Sequence, residues 1–167
     1  IFAWFTQHCV PDSYHQAAQE AGISIHEHLT RLAEPQAVGE HGLVALDWHN
    51  GNRNLLMNPR LTGLIAGLTL GTTRADVYRA LLESAAFGAL MIVNRLEEYG
   101  VPIRRIVCCG GIAEKNPLCL QIYADVLNRP LYVSRSAQAC ALGAAIAGAV
   151  VGGAWPGFGP ALAAMTG

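Results

Sequence analysis

Between Ile106 and Val151 the sequence changes character three times. The β-type run Ile106-Val107-Cys108-Cys109 gives way to a helical segment, Pro117 to Leu127. A short apolar run, Pro130-Leu131-Tyr132-Val133, then precedes a small-residue helix from Gln138 to Val151. Strand, helix, strand, helix with short links is the pattern of parallel βαβ units, whose crossovers are right-handed. This order constrains the fold more than any other feature: it predicts an α/β chain with parallel strands.

At the tip of the first strand stand two adjacent residues without side chains, Gly110 and Gly111. In an open parallel sheet, ligands bind beyond the carboxyl ends of the strands. Glycine there lets a ligand approach the backbone closely and permits positive φ. Downstream, Asn116 is a favoured N-cap and Pro117 a favoured first helical residue, so a helix N-terminus with free N–H groups is expected nearby. A tight βα turn is the plainer explanation of the same glycines. The loop is not a dinucleotide fingerprint, because GxGxxG is absent, and it lacks the Gly-Lys-Ser/Thr of a phosphate-binding P-loop.

Upstream, residues 2–10 read as a helix stopped before Pro11, and 13–34 as a helix pair around Gly22. Leu43-Val44-Ala45-Leu46 is strand-like and leads into the turn-rich "DWHNGNRN", Asp47 to Asn54. Trp48, Asn52 and Arg53 in that loop could touch a ligand, or the loop is a solvated turn. Residues 59–70 suggest a short helix ended by Gly71. The clearest element follows: Thr73 as N-cap with Asp76 three residues later, then apolar residues at helical spacing from Val77 to Leu96 and Gly100 as the stop.

Composition narrows the function classes. A net charge of −1, with no basic run, argues against a nucleic-acid or anionic-membrane footprint. The chain is 52% apolar and only 14% charged, which implies a large interior or a face meant to sit against something else. The five cysteines show no CxxC pair and no structural-zinc spacing, and free thiols in apolar segments fit a reducing, cytoplasmic compartment. His26-Glu27-His28 reads as surface near a helix end rather than a metal site. Residues 136–167 carry no charge, but their Ala and Gly gain little from lipid, so a buried helix followed by a loosely packed tail (154–167) is expected instead of a membrane span. The chain opens on Ile1-Phe2-Ala3-Trp4-Phe5, like the middle of a longer protein.

The run "GGIAEKNPLCLQIYADVLNRPLYVSRSAQACALGAAIAGAV", Gly110 to Val150, resembles the adenosine-binding end of the FGGY carbohydrate kinases, most closely their L-ribulokinase branch. "IFAWFTQHCVP", "GLVALDWHNGNRN" and "LTGLIAGLTLGTTRADVYRALLESAAFGA" extend the likeness upstream, so that it covers residues 1–153 as a carboxy-terminal kinase domain. The resemblance implies a partial actin-like, ribonuclease-H-like ATPase domain with parallel strands and a long helix. By motif, Gly110 and Gly111 would lie against the nucleotide phosphates and ribose. Ile112, Lys115 and Asn116 would flank the adenine, with Asn116 placed to hydrogen-bond it. Gly143 would serve helix packing beneath that pocket. ATP or ADP with Mg²⁺ would be the cofactors, and L-ribulose or a related pentulose the sugar, in L-arabinose catabolism.

Sugar kinases of this kind need a carboxylate to take the proton from the attacking hydroxyl. In the family the catalytic Asp lies before the segment that resembles this chain. Asp12, Asp47, Asp76 and Asp125 each have an ordinary explanation: turn, loop, capping box and helix surface. No catalytic residue and no metal ligand is therefore assigned here, and the chain alone is expected to be inactive. Uncovered strand edges and apolar faces would favour homo-oligomers. A non-catalytic actin-like assembly module is the alternative reading, and the missing GxGxxG disfavours an oxidoreductase.

Overall fold

The computed structural model describes residues 1–111, 115–136 and 138–166, and these divide into two compact units: Ile1–Arg104 with Leu118–Arg129, and Arg105–Pro117 with Pro130–Gly167.

The first unit opens with helices α1 (Phe2–His8), α2 (Asp12–Glu20) and α3 (Ile25–Ala33). Pro11 holds extended backbone at the start of α2, which keeps α1 from running on. Gly22, at φ 67°, closes α2: its N–H bonds Gln19 O and the next N–H bonds Ala18 O, both at 3.0 Å. Ser24 then caps α3, its hydroxyl accepting from Glu27 N at 3.1 Å. Strands β1 (Val44–Leu46) and β2 (Leu64–Ala66) pair antiparallel with Ala45 opposite Ile65. The strand β2 replaces the helix that the spacing of residues 59–70 suggests. Gly63 and Gly67 bracket it, and a Cβ on Gly67 would collide with the carbonyl oxygen of Gly42. Apolar residues at helical intervals lost here to backbone approaches that only glycine allows.

Helix α4 (Arg74–Glu98) runs for 25 residues. Its start is a complete capping box: Thr73 Oγ1 accepts from Asp76 N at 3.2 Å, and Asp76 Oδ2 accepts from Thr73 N at 2.7 Å. Gly100 ends it at φ 79°, with Val101 N bonding Leu96 O at 3.0 Å. The core gathers on its first half, where Leu81 and Leu82, with Leu29 of α3, are the largest fully buried side chains. Leu118 and Ile122 of α5 (Pro117–Leu127) join the same cluster. Burying each such side chain contributes roughly 2 kcal/mol.

A buried ionic network ties the 34–42 connector to α4. Arg79 donates to Glu83 at 2.9 Å and to Ala33 O at 3.2 Å, while His41 Nε2 lies 3.1 Å from the second Glu83 oxygen. Because His41 Nδ1 accepts from Leu43 N at 3.0 Å, its Nε2 carries the proton and donates to Glu83.

The second unit contains the parallel pair β3 (Ile106–Cys108) and β4 (Leu131–Val133), with Val107 opposite Tyr132. The expected parallel relation is present. Across the pair, Arg105 stacks over the Tyr132 ring at 5.2 Å. Helix α6 (Ala139–Val151) is followed by α7 (Phe158–Met165), where the sequence suggests a loosely packed tail. Pro160 sits in the first turn of α7, where its missing N–H costs nothing. Ala161 of α7 and Ile146 of α6 are buried between these helices. Among the described residues no helix is long and apolar enough to cross a membrane.

Candidate functional site

The site predicted at the strand tip lies within the second unit. Strand β3 ends at Cys108, and Gly110 follows, half-buried, at φ 88°. That backbone conformation selects glycine on its own. Among the described residues, a Cβ added at Gly110 or at Gly111 would meet no heavy atom within 4 Å. Gly111 therefore answers to no packing demand within the described residues. Lys115 is exposed, and Asn116 is half-buried immediately before the first residue of α5. Ile112 lies outside the described residues.

The end of the partner strand faces the same way, because the two strands are parallel. Ser134 N donates to Cys108 O at 2.8 Å, carrying the ladder one step beyond β4. Two serines then fold the backbone back: Ser134 Oγ accepts from Ser136 N at 3.3 Å, and Ser136 Oγ accepts from Gln138 N at 3.2 Å. The carboxyl edge of the pair thus combines glycine backbone with serine hydroxyls. Ser134 and Ser136 belong to no motif recognised from the sequence, and the signal for them is Ser-x-Ser directly behind a β run. Burial, and then the neighbouring Cys109 thiol, push the Cys108 thiol upward, so it stays uncharged at neutral pH.

Gly143 is exposed, and among the described residues a Cβ there would find nothing within 4 Å, so none of them gives it the packing role expected of it. The aspartates are locally occupied. Asp76 closes the capping box, Asp125 accepts from Gln121 at 2.8 Å, and Asp12 stands in the first turn of α2. Asp47 presses its carboxylate onto α4, in the space that a side chain at Gly88 would fill.

The 47–54 loop, in the first unit, is a self-bonded structure. Asn52 and Asn58 exchange backbone hydrogen bonds of 3.0 and 2.8 Å, and Asn52 Oδ1 accepts from Leu55 N and Leu56 N. Asn52 is thus spent on the turn, while Trp48 and Arg53 line a cleft of about 300 Å³ against α4. His49 is held below its usual range, chiefly by burial and then by the positive amino terminus, against an opposing pull from Asp47.

Comparison with known proteins gives these features a context. The model of the FGGY family of carbohydrate kinases, C-terminal domain, matches residues 1–151. The chain is 54% identical over 153 residues to a ribulokinase of Mycolicibacterium smegmatis, covering 92% of this chain and 27% of that protein. Against a ribulokinase of Bacillus licheniformis it is 47% identical over 156 residues, covering 93% and 28%. The chain therefore spans little more than a quarter of the curated relatives it matches. Among solved structures, a xylulose kinase from Rhodospirillum rubrum superposes with a TM-score of 0.61 at 32% identity, over 72% of this chain and 24% of the other. Plasmodium falciparum glycerol kinase with ADP superposes over 99% of this chain and 30% of its own, with a TM-score of 0.71 at 21% identity.

Proposed function

Since the chain belongs to the FGGY family of carbohydrate kinases, as its C-terminal domain, we propose that it is the nucleotide-binding part of an ATP-dependent sugar kinase. The sugar is L-ribulose or a related pentulose, phosphorylated at its 5-hydroxyl as a step of L-arabinose catabolism. One observation carries the nucleotide assignment: an open, two-glycine carboxyl end on a parallel strand pair, in a chain whose relatives are kinases.

Within this reading, residues 1–153 work as one kinase domain. Gly110 and Gly111 let the nucleotide's phosphates and ribose lie against bare backbone, since no Cβ intrudes there and no described residue stands within 4 Å of where one would be. Asn116 donates or accepts a hydrogen bond at the adenine edge, while Lys115 and Ile112 flank the base. Mg²⁺ would be carried on the nucleotide and would supply charge neutralisation on the phosphoryl oxygens when bound. The general base and most sugar contacts are assigned outside this chain, since in the family they lie before the segment that this chain resembles. Free thiols at all five cysteines fit a cytoplasmic setting.

Calorimetric titration with Mg·ADP tests the assignment, with circular dichroism confirming the fold. Asn116→Ala is expected to weaken binding about tenfold, the size of one hydrogen bond in a partly buried site. A folded chain that binds no Mg·ADP, or a variant that binds it as tightly as the wild type, would overturn it.

A further inference from the structure

The loop from Asp47 to Pro59 is ordered beyond what a solvated turn requires. The Asn52–Asn58 exchange, the double use of Asn52 Oδ1, and Gly51 at φ 78°, where a Cβ would strike Pro59, hold it in one shape. The ordering buries little of the loop's own apolar surface: Leu56 stays 54% exposed. Across the cleft, α4 presents Phe87 and Met91, exposed to 53% and 55%. An ordered loop facing exposed apolar residues across about 300 Å³ has the size and preorganisation of a small-molecule site.

Charge fixes the class of ligand. Arg95 at one end is engaged with Glu98 at 3.2 Å and with the Tyr99 ring. Asp47 lies against α4 at Gly88. Arg53 is exposed, and no ion pair or hydrogen bond engages it among the described residues. Trp48, half-buried, offers an aromatic face on the same lining.

We propose that this cleft binds a small aromatic anion, its ring between Trp48 and the Phe87–Met91 face and its anionic group on the Arg53 guanidinium. The site is separate in sequence from the glycine loop and does not rest on the nucleotide reading. A carboxylate, sulfonate or phosphate suits the planar fork of arginine, and Asp47 excludes the anionic group from its own end.

The three methionines make the test internal. Met91 lines the cleft, Met57 lies within the loop, and Met165 lies in α7 as a control. Naphthalene-2-sulfonate is titrated into the protein while methionine methyl resonances are followed by NMR, with neutral 2-naphthalenemethanol in parallel. The sulfonate is expected to move Met91 and leave Met165 in place. Arg53→Ala should weaken it at least about tenfold, the loss of one hydrogen bond to a charged group, and leave the neutral alcohol unchanged. Retained methyl dispersion shows that the variant is folded. An unmoved Met91, Met165 moving in step with it, or equal sulfonate affinity in Arg53→Ala would each overturn the proposal.

Discussion

The two units bury their apolar residues very differently. In the first, α4 sinks Leu81 and Leu82 to 1% and 2% exposure beside Leu29 at 0%. In the second, the strand residues Val107 and Tyr132 stay 49% exposed, and the buried apolar positions are Ile146 and Ala161 on its helices. Stability is therefore concentrated in the first unit, while the candidate nucleotide loop stands on the second. A site on a lightly packed sheet leaves the strand ends accessible, and bound ligand then adds stability by mass action.

The largest expected effect sets the units directly against each other. Leu82→Ala should lower unfolding stability by about 3 kcal/mol, the usual cost of a cavity in a filled core. Val107→Ala should cost under about 1 kcal/mol, because half of that side chain already faces solvent. Urea denaturation of both variants measures the contrast. Equal losses would break it, and would mean that β3 is buried in solution by contacts such as self-association, which size-exclusion chromatography would show.

An intermediate effect separates the two glycines. Gly110→Ala places a Cβ on a residue at φ 88° and should destabilise by about 1–2 kcal/mol. Gly111→Ala meets no described atom within 4 Å and should leave stability unchanged. If the glycine loop cradles nucleotide, Gly111→Ala nevertheless weakens Mg·ADP binding, because its methyl group enters the ligand's space. A variant as stable as the wild type that also binds Mg·ADP equally well would reduce Gly111 to a turn residue.

Particular residues show what could be read without coordinates. The Thr73–Asp76 box and Gly100 bounded α4 correctly because caps are local: each partner lies within a few residues of the end it closes. The parallel pair was legible because strand and helix periods alternate over short links. Strand β2 was not, since the approach of Gly67 to Gly42 O joins residues 25 positions apart, a contact no local spacing encodes. Helix α7 was hidden by Pro160 and its glycines, which suggest a loop unless the proline is placed in a first turn. At the candidate site the glycines were visible by type. Ser134 and Ser136 were not singled out, because their place beside Gly110 follows from the strand pairing. Gly143 has no packing neighbour among the described residues, because small residues in a helix do not say which face has one.

The smallest effect probes the packed unit through pH. Burial holds His26 below its usual value of 6.5, with its ring 6.3 Å from that of Tyr78 in the core cluster. The folded state therefore disfavours the imidazolium, and below about pH 6.5 the unfolded chain binds more protons. Stability should accordingly fall as pH drops from about 7 to 5 and level off above the unfolded value, the sign expected for a histidine kept neutral. His26→Gln removes that titration and should flatten the slope, while nothing in the second unit changes. Thermal unfolding of both proteins across this range measures it. A slope untouched by the substitution would assign the acid sensitivity to another group, with His49, also lowered mainly by burial, the next to replace.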